Sequence, residues 1–76
     1  METIYLSIEK SGRKGKTVTL LKGFTRDLSY LENLAGDLKR SCGTGGTVKG
    51  LQIEIQGDCR ERVRALLEKT GFSVKG

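Results

Sequence analysis

Two runs, TIYLSIEK at residues 3–10 and TVTLLK at residues 17–22, flank the stretch SGRKGK at residues 11–16, and these twenty residues decide the fold. In the first run Ile4, Leu6 and Ile8 alternate with Tyr5, Ser7 and Glu9, the period of a strand with one face buried. The second run is β-branched and apolar, with Val18 and Leu20 on one side and Thr17, Thr19 and Leu21 on the other. A short connection containing Gly12 and Gly15 between two such runs predicts a β-hairpin, because glycine reaches the positive φ that a tight reversal demands. Lys10, Arg13, Lys14 and Lys16 crowd the end of this hairpin. A solvated turn that discourages edge pairing would account for one or two cations. Four within seven residues favour contact with an anion.

The period then changes from two to 3.6. Leu28, Leu31, Leu34, Ala35, Leu38 and Cys42 fall on one stripe, which predicts a helix with Asp27 or Ser29 as its N-cap. Lys39 and Arg40 suit the negative end of its dipole, and Gly43-Thr44-Gly45-Gly46 ends it. Thr47-Val48-Lys49 reads as a short extended piece, and residues 51–56 as a strand with Leu51, Ile53 and Ile55 facing inward. Asp58 with Glu61 has capping-box spacing for a second helix carrying Val63, Leu66 and Leu67, closed by Gly71. Residues 72–75 suggest a final strand. The expected fold is therefore α+β: a two-layer β-β-α-β-β-α-β sandwich with both helices on one face of a single sheet. The open face is expected to carry Tyr5, Ser7, Glu9, Thr17, Thr19, Gln52, Glu54 and Gln56.

With 76 residues, the chain has room for one domain, spanning 1–76, and nearly all of its aliphatic side chains are needed for the core. Fourteen Lys and Arg against nine Asp and Glu give a net charge of +5, which favours a polyanionic partner. Cys42 and Cys59 cannot supply the four ligands of a structural zinc, and no His is present to help, so neither metal nor cofactor is expected. One disulfide is possible, but nothing in the sequence requires it, and the simpler expectation is two small half-buried thiols. No apolar run approaches the roughly 20 residues of a membrane span, so the expected setting is cytoplasmic, without membrane contact. Catalysis is not expected, since a thiol without a histidine partner and scattered carboxylates assemble no acid–base constellation.

Gly15-Lys16-Thr17 mimics the end of a P-loop, but Lys10 stands where the earlier glycine belongs, and a strand follows instead of a helix. Gly12 to Gly15 and Gly43 to Gly46 have KH-like spacing, yet neither joins two helices. Base stacking on sheet aromatics would rest on Tyr5 alone, because the alternation of Phe72 with Val74 puts that ring in the core. Arg60, Arg62 and Arg64 alternate with Glu61 and read as a mixed, solvated helix surface.

Several blocks in order, Gly12 to Thr19, Leu38-Lys39-Arg40, Cys42 to Val48, and Ile53 to Asp58 followed by Arg60, resemble the translation initiation factor 1 family over nearly the whole chain. That family comprises the eukaryotic and archaeal start-codon selection factors and their bacterial relatives. The resemblance implies binding to rRNA of the small ribosomal subunit near the P site, with initiator tRNA, mRNA and other initiation factors close by. It implies a monomer that promotes the fidelity of start-codon and initiator-tRNA selection. A general RNA- or tRNA-binding protein, or a ribosome-associated module acting in recycling, reinitiation or stress, is the alternative. Carried over residue by residue, the loop role falls on Arg13, Lys14 and Lys16, shaped by Gly12 and Gly15, and the docking role on Lys39, Arg40 and Lys49. Gly43, Gly45 and Gly46 would shape the second turn or admit RNA backbone closely. The chain departs from the family in beginning almost at the first strand and in placing Cys59 where relatives often carry a larger polar residue.

Overall fold

The computed structural model describes residues 2–10 and 16–76. Its elements are β1 (Thr3–Lys10), β2 (Thr17–Lys22), α1 (Leu28–Cys42), β3 (Gly46–Lys49), β4 (Gln52–Gln56), α2 (Arg60–Thr70) and β5 (Ser73–Lys75). The predicted order of elements is the observed one. The five strands form one mixed sheet in the order β3-β4-β2-β1-β5, with the β1–β5 pair parallel and the other three antiparallel.

Two crossovers explain why both helices share a face. β3 runs parallel to β2 with β4 between them, so α1 carries the chain back over the sheet. β4 runs parallel to β5 with β2 and β1 between them, so α2 does the same. Beneath the helices lie Ile4, Leu6, Leu21, Ile53 and Ile55, meeting Leu31, Leu34, Ala35 and Leu38 of α1 and Val63 and Leu67 of α2. Phe24 and Phe72 close one end of this core edge-to-face, with centroids 5.8 Å apart. Arg26 stacks 4.9 Å from the Tyr30 ring centroid above them, and its guanidinium pairs with Glu2.

The register of β2 corrects the expected assignment of faces. Leu21 lies opposite Leu6 and Ile53, and Thr19 opposite Ile8 and Ile55, so Thr17, Thr19 and Leu21 point towards the helices, and Val18 and Leu20 away from them. Thr19 is fully buried. It is tolerated there because its hydroxyl donates to the Gly57 carbonyl at 2.6 Å and accepts from the Cys59 N–H at 3.1 Å. Leu20 lies on the outer face between Ser7 and Glu54 and is nonetheless only 5% exposed. By the register its diagonal neighbours on that face are the longer side chains of Tyr5, Glu9, Gln52 and Gln56.

Two element ends also differ from expectation, and at a third the structure decides between the two expected caps. Leu51 sits in the Gly50–Leu51 turn before β4 and is exposed, as is Leu28 in the first turn of α1. Asp27, not Ser29, caps α1, accepting from the Tyr30 N–H at 2.9 Å. The N-cap of α2 is Cys59, with no side-chain cap bond, while Asp58 turns to the Arg60 guanidinium at 3.0 Å.

Candidate nucleic-acid interface

The topology fixes which cations meet. β1 ends and β2 begins at one edge of the sheet, where Lys10 lies opposite Thr17. The end of β4 and the start of β3 are at the same edge, since Gln56 lies opposite Val18 and Gly46 opposite Ile55. Helix α1 delivers the chain to β3 and therefore ends here; α2 leaves β4 and therefore starts here. Lys10, Lys16, Lys39, Arg40, Arg60 and Arg62 are thus gathered at one end of the molecule although they come from three elements and one connection.

Among these, Lys16 is exposed at the foot of β2, and it lines a depression of about 340 Å³ with Thr17, Val18, Gln56 and Gly57. Lys10, Lys16 and Lys39 have no carboxylate within 4.0 Å among the described residues. Arg40 pairs with Asp37 one turn earlier on α1, and both side chains are well exposed, so the pair opposes little if an anion competes. Arg60 holds the Asp58 carboxyl below its usual range by a hydrogen bond. Arg62 donates to the Ser41 carbonyl at 3.1 Å, satisfying one of the open carbonyls at the α1 C-terminus. Arg64 is committed elsewhere, donating to the Val74 carbonyl at 3.2 Å and to that of Gly76.

Lys49 does not join them. It ends β3 opposite Gln52, at the far edge of the sheet, and its ammonium lies 3.6 Å from the Glu54 carboxylate. Gly12, Arg13, Lys14 and Gly15 lie outside the described residues. The sequence reading missed Arg60 and, with it, Arg62 as members of this end. Their i, i+2 alternation with Arg64 hid them, whereas the topology alone, α2 starting where α1 stops, would have found them.

The second turn is built by its glycines. Gly43 occupies the left-handed C-cap position of α1 at φ 65°, where its N–H donates to the Lys39 carbonyl. Gly46 lies so close to its neighbours that a Cβ there would stand 2.6 Å from the Glu54 carbonyl oxygen and 2.8 Å from Ile55 Cδ1. Gly45 leaves room for the Gln56 side chain, which packs directly over it. These contacts seat the α1 C-terminus, with Lys39 and Arg40, on the sheet edge.

Such an edge can pair with phosphates and offers amide and hydroxyl groups beside them; among the described residues no group of three or more Cys, Asp or Glu could hold a metal ion. No helix among the described residues is long and apolar enough to cross a membrane.

The family model described as "Translation initiation factor SUI1" matches residues 1–73. An uncharacterised protein of Escherichia coli K12, YciH, is 51% identical over 67 residues, covering 88% of this chain and 62% of its own length. A "Protein translation factor SUI1 homolog" of Sulfolobus acidocaldarius is 46% identical over 69 residues, covering 91% of this chain and 69% of its own. A Synechocystis protein, sll0546, is 42% identical over 74 residues, or 97% of this chain. The chain thus spans somewhat under two thirds of the length of its YciH relatives. By the extent of the family match and the similarity to these relatives, the chain belongs to the translation initiation factor SUI1 family.

Proposed function

We propose that this domain binds rRNA of the small ribosomal subunit near the P site and promotes the fidelity of start-codon and initiator-tRNA selection. The observation that carries the proposal is the convergence of Lys10, Lys16, Lys39 and Arg40 on the sheet edge from which the 11–16 connection departs. Family membership supplies the ribosome as the polyanion; the charge distribution supplies the manner of contact. Lys39 and Arg40 pair with rRNA phosphates and fix the orientation of the plate, and the loop residues Arg13, Lys14 and Lys16 add phosphate contacts of their own. Arg13 and Lys14 then reach towards the decoding region, where initiator tRNA and mRNA lie. Binding and steric discrimination accomplish the task, with no chemical step: a poorly matched tRNA–mRNA pair leaves charged groups badly placed and is disfavoured.

A filter-binding titration of purified small subunits against salt tests this. Changing Arg13, Lys14 and Lys16 together to Ala should weaken binding and flatten the log–log salt slope by about 2, at about 0.7 for each lost phosphate contact. An unchanged slope would refute the loop assignment. Equal affinity for small subunits and bulk RNA at physiological salt would favour a general RNA-binding role instead.

A further inference from the structure

Cys42 is the last residue of α1 and Cys59 the N-cap of α2, and at the end where the crossovers gather the cations the two thiols interact with each other. They line one open groove of about 680 Å³, with Asp58, Arg60 and Arg62. Both are half-buried against the same core, and both are free thiols. Their backbones are held by different partners. Arg62 ties the α1 end to α2 through the Ser41 carbonyl at 3.1 Å, and buried Thr19 anchors the Cys59 N–H at 3.1 Å. The Cys59 thiol makes a weak, exposed bond to the Gln56 carbonyl at 3.8 Å, which opposes little when the sulfur turns to another partner.

We propose that Cys42 and Cys59 constitute a disulfide-forming site that fastens the C-terminus of α1 to the N-terminus of α2. The oxidant is a small-molecule disulfide such as oxidised glutathione. Cys59 reacts first, because the Cys42 thiol is pushed up to about 11, by burial first and then by its interaction with the Cys59 thiol, and so remains protonated at neutral pH. The Cys59 thiolate attacks one sulfur of the small disulfide, breaking its S–S bond and releasing one thiol. Cys42 then loses its proton and attacks the Cys59 sulfur of the mixed disulfide, releasing the second thiol. Two protein thiols are oxidised, and the small disulfide takes up two electrons and two protons. The bridge closes a loop of seventeen positions, long enough to restrict the unfolded chain substantially. The inference does not depend on the ribosomal reading, since it concerns only how the two helix ends meet.

The test treats the purified protein with excess oxidised glutathione and measures its intact mass without reductant. The expected product is a monomer lighter by two hydrogens, with both thiols closed to alkylation. Its thermal midpoint should rise by roughly 10 °C or more over the reduced form, as expected for a loop of this size in a small domain. Cys42→Ser should stop at a stable glutathione adduct on Cys59. A wild-type protein that stops at glutathione adducts, or that yields only intermolecular dimers, would overturn the proposal. So would an internally bridged form that melts no higher than the reduced one, because the fold would then not be preset for the bond.

Discussion

Replacing Thr19 with Val probes the joint on which the α2 start rests. The Thr19 hydroxyl is buried and joins two backbone groups: it donates to the Gly57 carbonyl and accepts from the Cys59 N–H. Val has nearly the same shape but can do neither. Each intramolecular bond is worth about 1 kcal/mol net, and Gly57 and Cys59 are only partly buried, so water partly relieves the groups left behind. The expected loss is about 2 kcal/mol. Thr19→Ser keeps both bonds and gives up one buried methyl, a loss of about 1 kcal/mol. For a domain of this size these correspond to falls in Tm of roughly 8–16 °C and 4–8 °C. The chain has no Trp, so far-UV circular dichroism in urea is the suitable assay, with the m-value expected to stay constant. The order of the two variants decides the matter. If Thr19→Val proved as stable as Thr19→Ser, or more so, the hydroxyl would not be holding the β4–α2 turn.

Other substitutions give opposite signs at different glycines and a pH signature at the start of β1. Gly36→Ala should stabilise the protein by about 0.5–1 kcal/mol in the same melts, because a Cβ there meets no atom within 4 Å and α1 gains a better helix former. Gly46→Ala should destabilise it by roughly 2 kcal/mol, since β3 must back away from Glu54 and Ile55; an unchanged melt would show that the edge strand yields freely. The Arg26 guanidinium and the Thr25 N–H lower the Glu2 carboxyl from its ordinary 4.5. A lowered folded-state value means a contribution fully present above that ordinary value and lost as pH falls through the folded one. The stability difference between wild type and Glu2→Gln should therefore be constant near neutrality and close on acidification below about 4.5. A difference that persisted at the acid end would dissociate it from the Glu2 charge.

The elements were legible because alternation and helical stripes are local properties. Ile4 and Leu6 on β1, or Ile53 and Ile55 on β4, declare their face within five residues. β2 defeats that reading. Leu20 and Leu21 are adjacent and both apolar, so they must face opposite ways, and only pairing with Leu6 and Ile53 decides which one goes inward. Thr19 follows Leu21 inside, where polarity alone would have left it out. The cap of α2 was misread for a similar reason: Asp58 has the spacing of a cap, but the neighbouring Arg60 competes for its carboxylate. In the candidate interface, Lys39 and Arg40 could be paired in the sequence with the hairpin cations only through the resemblance. Their placement at the same end of the molecule as Lys10 and Lys16, the separation of Lys49 and the arrival of Arg62 depend on strand order, which no local pattern encodes.

The parallel pairing of β5 with β1 sets Thr3 opposite Ser73 and Ile4 opposite Val74, so the sheet is completed by residues about seventy positions apart. During synthesis β1 and β2 can zip early, but the outer edge of β1 stays open until α2 and β5 have emerged. Contacts of such long sequence separation are slow to form and leave an unpaired edge exposed while they wait. Folding of this domain is therefore expected to be close to all-or-none with respect to its last strand, and a nascent chain stalled before residue 73 would present β1 as a ready template for mispairing.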